Sequence, residues 1–353
     1  MKAAVLYGNY DMRYEDVCEP EIKPGMVKVR VCACGVCGSD IPRITEGMAH
    51  YYPIVLGHEF SGFVTEIGEN VKSLKPGDHI AGVPLIPCMK CADCSKGNYS
   101  LCKNYTFIGS RIQGGFADYI VIPERNAVKI DEAIPYEVGA LFEPSTVALH
   151  GIRISKFSGG KNAAVLGGGT IGIFTLQWLK ILGAKNVVVF GRDKKHLELS
   201  VRLGADKVIS TKEENFMREA MDFTGDEGFD YVYETAGAVE TMKMAFELAA
   251  KKASICMIGT PKKDITFSPR EWENLNRKEL SLTGSWMSGC SPFPGDEWAL
   301  TAHCFAKGQL KYDPEIFYRQ LPLCDTERLC EILKESNKIK GRILLVNDVG
   351  LKK

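Results

Sequence analysis

The chain has 353 residues, more than one hydrophobic core comfortably uses, so two domains are expected. Hydrophobic residues make up 45% and charged residues 25%, and 44 basic residues balance 44 acidic ones; this fits a soluble globular protein and excludes a global field that would draw nucleic acid or an anionic membrane surface. No amino-terminal signal pattern or apolar run of about eighteen residues appears, so a cytoplasmic protein is expected, and its 13 cysteines are read as metal ligands before disulfides.

Residues 1–8 and 12–17 read as strands flanking an Asn9-Tyr10-Asp11 turn, and 26–34 (MVKVRVCAC) alternates as a half-buried strand does. Residues 57–68 and 77–83 add two more, punctuated by Pro76-Gly77-Asp78. Short strands between glycine turns predict a mostly β, partly barrel-like first domain over 1–150. From residue 162 the texture changes to alternating strand and helix. Strands are expected at 163–166, 187–190, 207–209, 229–233, 253–258 and 280–284. Helices are expected after Gly172 and at 193–203, 213–222 and 241–250. That alternation predicts an α/β, doubly wound parallel sheet over 151–287. A loop with Pro292, Pro294 and Gly295 then precedes a helix near 297–306, and 341–346 reads as a strand. The segment 288–353 is expected to return to the first domain.

Cys88-x2-Cys91-x2-Cys94-x7-Cys102 is the strongest local signal. Four thiolates so close in sequence can close a tetrahedral shell around zinc with no open position, so this lobe over 88–102 is read as structural. Lys90, Lys96 and Lys103 offset part of its negative charge. A second set is looser. Cys37 lies in Cys37-Gly38-Ser39-Asp40 after an apolar strand, and Gly57-His58-Glu59 opens another. A thiolate, an imidazole and a nearby carboxylate suit a zinc site that keeps a position open for water or an alcohol. On the residues alone, His58 reads equally as a satisfied buried histidine.

The apolar run 163–166 enters Gly167-Gly168-Gly169-Thr170-Ile171-Gly172 and then a helical pattern, the start of a dinucleotide-binding unit. Gly167 permits the turn, Gly169 lets the backbone approach a pyrophosphate, and Gly172 lets the helix lie close on the sheet. The free amides around Thr170 and Ile171 supply the phosphate site. The second strand ends in Gly191-Arg192, where an NAD-preferring unit places an acid. The vacancy at Gly191 and the arginine beside it favour NADP. Asp193 comes too late for the usual contact with the ribose.

The whole chain resembles the zinc-dependent medium-chain alcohol and polyol dehydrogenases. That resemblance implies a GroES-like catalytic domain, a Rossmann cofactor domain, and two zinc ions per chain, one catalytic and one structural. The family pattern Gly57-His58-Glu59-Phe60-Ser61-Gly62 makes His58 a catalytic metal ligand, the cysteine of Cys37-Gly38-Ser39-Asp40 another, and the four-cysteine lobe the structural site. The polyol branch's glutamate falls on Glu143 of Leu141-Phe142-Glu143-Pro144, and Glu59 is the carboxylate that can bind directly or exchange with the bound water. Ser39 falls at the first proton carrier, the relay histidine of many relatives falls on Pro42, and Arg342 takes the late basic position near the cofactor phosphates. The family also implies a homodimer or homotetramer built partly by edge pairing of the cofactor domains.

His50-Tyr51-Tyr52-Pro53, Phe107-Ile108-Gly109-Ser110-Arg111, Gly284-Ser285-Trp286-Met287, Ser291-Pro292-Phe293-Pro294-Gly295 and Glu297-Trp298 are similar to the branch that oxidises galactitol 1-phosphate to tagatose 6-phosphate. This implies a phosphorylated polyol substrate and NAD use, the latter against the reading of Gly191-Arg192. Arg43, His50, Arg111 and Lys278 are the candidates for its phosphate, arginine having the better geometry. Rival expectations are a sorbitol or L-threonine dehydrogenase with an unphosphorylated substrate, and a non-catalytic zinc and nucleotide-binding protein. The retained Cys37, His58 and Glu143 argue against the last.

Overall fold

The computed structural model describes residues 1–335, 339 and 341–347. Its contacts divide the chain into two units: Met1–Glu143 with Ser288–Gly308 and the described part of Pro314–Lys353, and Pro144–Met287 with Gln309–Asp313. The first division therefore falls at Glu143 and not at 150. Trp178 Nε1 donates to the carbonyl and hydroxyl oxygens of Ser145, both at 3.0 Å, which ties the residues after Glu143 to the second unit. Residues 309–313, expected in the return segment, also belong to the second unit. Lys311 N donates to Gln177 Oε1 at 2.7 Å, and Arg202 pairs with Asp313 at 3.0 Å.

In the first unit, β1 (Lys2–Gly8) and β2 (Asp11–Asp16) form an antiparallel hairpin. There follow β3 (Met26–Val36), α1 (Asp40–Thr45), β4 (Ile54–Val55), β5 (Glu59–Ile67), β6 (His79–Gly82) and β7 (Leu85–Ile86). Next come α2 (Ala92–Ser95), β8 (Thr106–Phe107), β9 (Tyr119–Pro123), β10 (Ala127–Lys129) and α3 (Tyr136–Gly139), while α4 (Phe142–Ile154) belongs from Pro144 onward to the second unit. The long β3 organises this unit: one edge pairs with β5, and the other serves β9 over Met26–Arg30. Its alternation buries Val27, Val29 and Val31 against Phe60, Val64, Ile120 and Ile122. Each such side chain contributes roughly 1.5–3 kcal/mol on burial.

The second unit is built of β11 (Asn162–Leu166), α5 (Thr170–Ile181), β12 (Asn186–Gly191), α6 (Lys194–Arg202), β13 (Lys207–Ser210) and α7 (Phe216–Thr224). It continues with β14 (Phe229–Glu234), α8 (Val239–Leu248), β15 (Ala249–Met257), α9 (Pro269–Arg277) and β16 (Ser281–Gly284). All its strand pairs are parallel, in the order β13-β12-β11-β14-β15-β16, so the winding reverses between β11 and β14. The runs Ala163 to Leu166 and Val187 to Phe190 are buried throughout, as strands covered on both faces require. The helix expected at 241–250 stops at Leu248 because Ala249 already pairs with Phe229 in the sheet.

The chain then returns to the first unit with α10 (Asp296–Ala306), β17 (Phe317–Pro322), α11 (Thr326–Lys334) and β18 (Arg342–Val346). The β18 strand pairs with the end of β3, Ile343 opposite Val36 and Val346 opposite Ala33. Among the described residues no helix is long and apolar enough to cross a membrane.

Candidate active site

The end of β3, the first turn of α1 and the start of β5 meet at one place. Ligand atoms of Cys37, His58 and Glu59 lie within 4.8 Å of one another. Asp40, fully buried, links Cys37 to His58. Its Oδ2 accepts from Cys37 N at 3.0 Å, and its Oδ1 lies 3.1 Å from Arg43 Nη1 and 3.6 Å from His58 Nδ1. With Nδ1 turned to Asp40, Nε2 of His58 is left for a metal, the arrangement by which a carboxylate orients a ligating imidazole. Phe107 packs edge-on against the His58 ring at 5.4 Å. Glu59 is placed by register: β5 sets it opposite Gly35, and a Cβ on Gly35 would occupy the place of Glu59 Oε2.

Arg342 enters from β18, whose pairing with β3 brings it beside Val36. Its guanidinium is 3.0 Å from Glu59 Oε1 and donates to the Val36 carbonyl at 3.3 Å. The expectation at the cofactor phosphates gave no hint of this buried pair with Glu59, a carboxylate of the candidate metal set. Glu143 lies outside the 4.8 Å set but close to it. Desolvation pushes its carboxyl up to about 7, against the pull of His58, and the charges of Cys37 and Arg342 also act on it. Desolvation likewise works against ionisation of Cys37, yet His58 beside it and Arg342 hold the thiol down at about 5. Burial pushes the Glu59 carboxyl well up, with Arg342 opposing. A thiolate and carboxylates gathered around an imidazole, with Glu59 Oε2 buried and without a hydrogen-bond partner among the described residues, fit a divalent cation with an open position.

The second cluster is closed. Cys88, Cys91, Cys94 and Cys102 keep all four sulfurs within 4.8 Å, with Cys88 to Cys94 at 4.0 Å and Cys91 to Cys102 at 3.9 Å. These separations are too long for disulfides and suit the edges of a tetrahedron around zinc. Backbone amides of Cys94 and Lys103 hold Cys91 down at about 6, whereas burial pushes Cys94 up to about 12. Tyr99 packs edge-on against Phe293 at 5.3 Å, and Gly97 lies against Ser291, so the return segment braces this lobe.

In the second unit, Gly167 at φ +119 turns the chain out of β11, and α5 begins after Gly169. A Cβ on Gly172 would collide with the Gly167 carbonyl, which is why the helix can sit so low on the turn. The amides of Thr170, Ile171 and Gly172 lack intrahelical acceptors at the helix start and form an anion cradle. Beyond β12, Arg192 is exposed, while the Asp193 side chain accepts from His196 N at 3.2 Å as the cap of α6. Glu234, fully buried at the end of β14, accepts from the amides of Ala236 and Gly237, both at 2.9 Å, and from Thr241 Oγ1 at 2.7 Å. It thereby shapes the loop facing the point where the winding reverses.

Of the four phosphate candidates, Arg43, His50 and Arg111 lie in the first unit with the metal set. Lys278 does not qualify. Its ammonium donates to the carbonyls of Phe246, Glu247 and Ala249 at 3.0, 2.9 and 2.8 Å, which uses all three hydrogens to cap the end of α8. The sequence reading missed Asp40 and Glu234. Asp40 was signalled by its place three residues after Cys37, and Glu234 by an acid closing an apolar parallel strand.

Residues 23–132 match the alcohol dehydrogenase GroES-like domain, and 170–303 match the zinc-binding dehydrogenase domain. The galactitol 1-phosphate 5-dehydrogenase of Escherichia coli (strain K12) is 37% identical over 98% of this chain and 100% of its own. The crystal structure of galactitol-1-phosphate dehydrogenase from Escherichia coli superimposes with a TM-score of 0.90 at 36% identity, covering 98% and 100% of the two chains. The D-arabitol-phosphate dehydrogenase of Enterococcus avium is 30% identical over 95% of this chain and 94% of its own. A structure described as a zinc-binding dehydrogenase from Sinorhizobium meliloti 1021, bound to NADP, has a TM-score of 0.86 at 29% identity over 98% of each chain. With identity of this level carried over nearly its whole length, the chain belongs to the zinc-dependent medium-chain alcohol and polyol dehydrogenases.

Proposed function

We propose that this dehydrogenase oxidises galactitol 1-phosphate to tagatose 6-phosphate, with a nicotinamide dinucleotide accepting the hydride. The observation that carries the reading is the convergence of Cys37, His58 and Glu59 beside Ser39 and Glu143, in a chain alike over its length to a galactitol 1-phosphate 5-dehydrogenase. A zinc ion held by Cys37 and His58, with Glu59 or Glu143 completing the set, supplies the Lewis acidity that lowers the pKa of the substrate hydroxyl. Asp40 keeps the His58 ring in the ligating orientation, and Arg342 balances Glu59. Ser39 Oγ accepts from Arg43 Nη1 at 3.0 Å and keeps a second lone pair to receive the substrate hydroxyl proton, its own hydrogen being passed onward. Pro42 replaces the next carrier, and the proton leaves by water or the cofactor ribose. The four-cysteine lobe holds the structural zinc.

The amides at the start of α5 take the cofactor pyrophosphate. NADP is the preferred form: Gly191 presents no acid, Arg192 is exposed, and Asp193 is engaged as a helix cap. The free edge of β16, with Leu282 exposed, is the candidate for pairing with a second copy in a homodimer or homotetramer. Initial rates with galactitol 1-phosphate, galactitol, sorbitol and L-threonine, each with NAD and NADP, test the reading. Selective turnover of the phosphate ester supports it; turnover of sorbitol or L-threonine in its place overturns the substrate, and no turnover of any alcohol overturns the enzyme.

A further inference from the structure

We propose that Arg43, Arg111 and His50 form the subsite that takes the substrate's phosphate group, an inference that rests on the phosphorylated-polyol reading above. The three side chains come from separate segments of the first unit: Arg43 from the last turn of α1, His50 from the stretch leading into β4, and Arg111 from the tight turn after β8. Both arginines are tethered to the surroundings of His58. Arg43 Nη1 donates to the Ser39 carbonyl at 2.9 Å, to Ser39 Oγ at 3.0 Å and to Asp40 Oδ1 at 3.1 Å, and the same Asp40 oxygen faces His58. The Arg111 amide donates at 2.9 Å to the carbonyl of Phe107, whose ring packs on His58.

The donors left over matter most. All of Arg43's bonds use Nη1, so among the described residues its Nε and Nη2 have no protein partner, and a guanidinium fixed at one nitrogen presents its other donors ready oriented. Arg111 is exposed and lies over the Tyr105 ring at 4.6 Å, with only a long 3.4 Å contact from Nη2 to the tyrosine hydroxyl. Both arginines act on one imidazole. Partial burial and then the charges of Arg111 and Arg43 hold His50 below its ordinary value. Among the described residues Asp40 is the carboxylate in contact with this group, and it pairs with Arg43, which leaves the charge of Arg111 unmatched. That charge, with the spare donors of Arg43 beside it, suits an anion with several acceptor oxygens, which a phosphate monoester supplies and a free polyol does not.

The test uses the zinc-replete full chain and compares KM for galactitol 1-phosphate and for galactitol in the wild type, Arg111→Gln, Arg111→Lys, His50→Asn and Arg43→Gln. Arg111→Gln raises KM for the ester by about tenfold or more, lowers the preference for ester over free polyol by a similar factor, and is partly rescued by Arg111→Lys. Inorganic phosphate competes with the ester in the wild type, and its inhibition constant rises in step with KM. Because Arg43 also touches Asp40, a raised KM in Arg43→Gln supports the subsite only with an unchanged zinc content. A wild-type preference for the ester that survives Arg111→Gln and His50→Asn within about twofold overturns the subsite and leaves the phosphorylated substrate standing. A wild type with no preference for the ester overturns both.

Discussion

The proposed preference for NADP rests on the end of β12, and a single side chain there should reverse it. Gly191→Asp restores the acid that dinucleotide-binding units use to accept from the ribose hydroxyls of NAD. The site has room for it: a Cβ built on Gly191 meets only Leu197 Cδ2 at 3.1 Å and Cγ at 3.5 Å, the end of a flexible side chain. Asp193 stands two residues further on, and its Oδ1 is engaged in capping α6. Two unit charges about 4 Å apart repel by about 4 kcal/mol at an effective dielectric of 20. Exposure and salt reduce this to roughly 2 kcal/mol against the 2′-phosphate of NADP, or about thirtyfold in kcat/KM. Arg192→Ser removes a charge-assisted contact worth about 1.5–3 kcal/mol in addition. The assay is the ratio of kcat/KM for NADP to that for NAD. The double variant should shift it towards NAD by about three orders of magnitude or more, as a rough sum of these terms. A shift of less than about threefold, or a wild type that already prefers NAD, would refute the reasoning.

Three further predictions bear on the first unit. Arg342→Met strands the buried Glu59 carboxylate and should destabilise the unit by about 3–5 kcal/mol, with Glu59→Gln in the same chain restoring part of the loss; thermal midpoints with metal analysis check it, and a change below about 1 kcal/mol contradicts it. Cys94→Ser opens the four-cysteine shell, so limited proteolysis should cut within 88–102 while the second unit keeps its protection; unaltered cleavage would count against a metal there. Burial works against the His58 imidazolium, but Asp40 and Cys37 outweigh it and hold the metal-free imidazole well above its ordinary value. Metal must therefore compete with a proton that His58 holds more tightly than an ordinary imidazole does, so uptake at this site weakens as pH falls; calorimetry in buffers of different ionisation enthalpy should show proton release, and an affinity independent of pH between about 6 and 8 contradicts it.

The second unit was legible because its chemistry is local. Buried parallel strands appear as unbroken apolar runs, and Gly167 to Gly172 mark the turn whose shape they permit. Two of this unit's helices escaped. The α9 helix carries its start signal, a Ser268 capping box with Glu271 and a proline at the first helical positions, but it buries no residue fully, and its apolar face is reduced to Trp272 and Leu275. The α4 helix opens Phe142-Glu143-Pro144, where a proline near the first turn is tolerated but reads as a break. What joins distant segments was not legible at all. Arg342 meets Glu59 only because β18 docks on β3 and β3 on β5, and 309–313 is claimed by Gln177 and Arg202 through contacts with no local pattern.

The central claim is that Cys37 and His58 hold a metal distinct from that of the four-cysteine lobe. Metal analysis of purified wild type and Cys37→Ala, each paired with initial rates on galactitol 1-phosphate, tests it most directly. The account predicts about two zinc ions per wild-type chain, about one in the variant, and loss of turnover with the second ion. A Cys37→Ala chain that keeps both ions, or that loses one and still turns over at the wild-type rate, would contradict it.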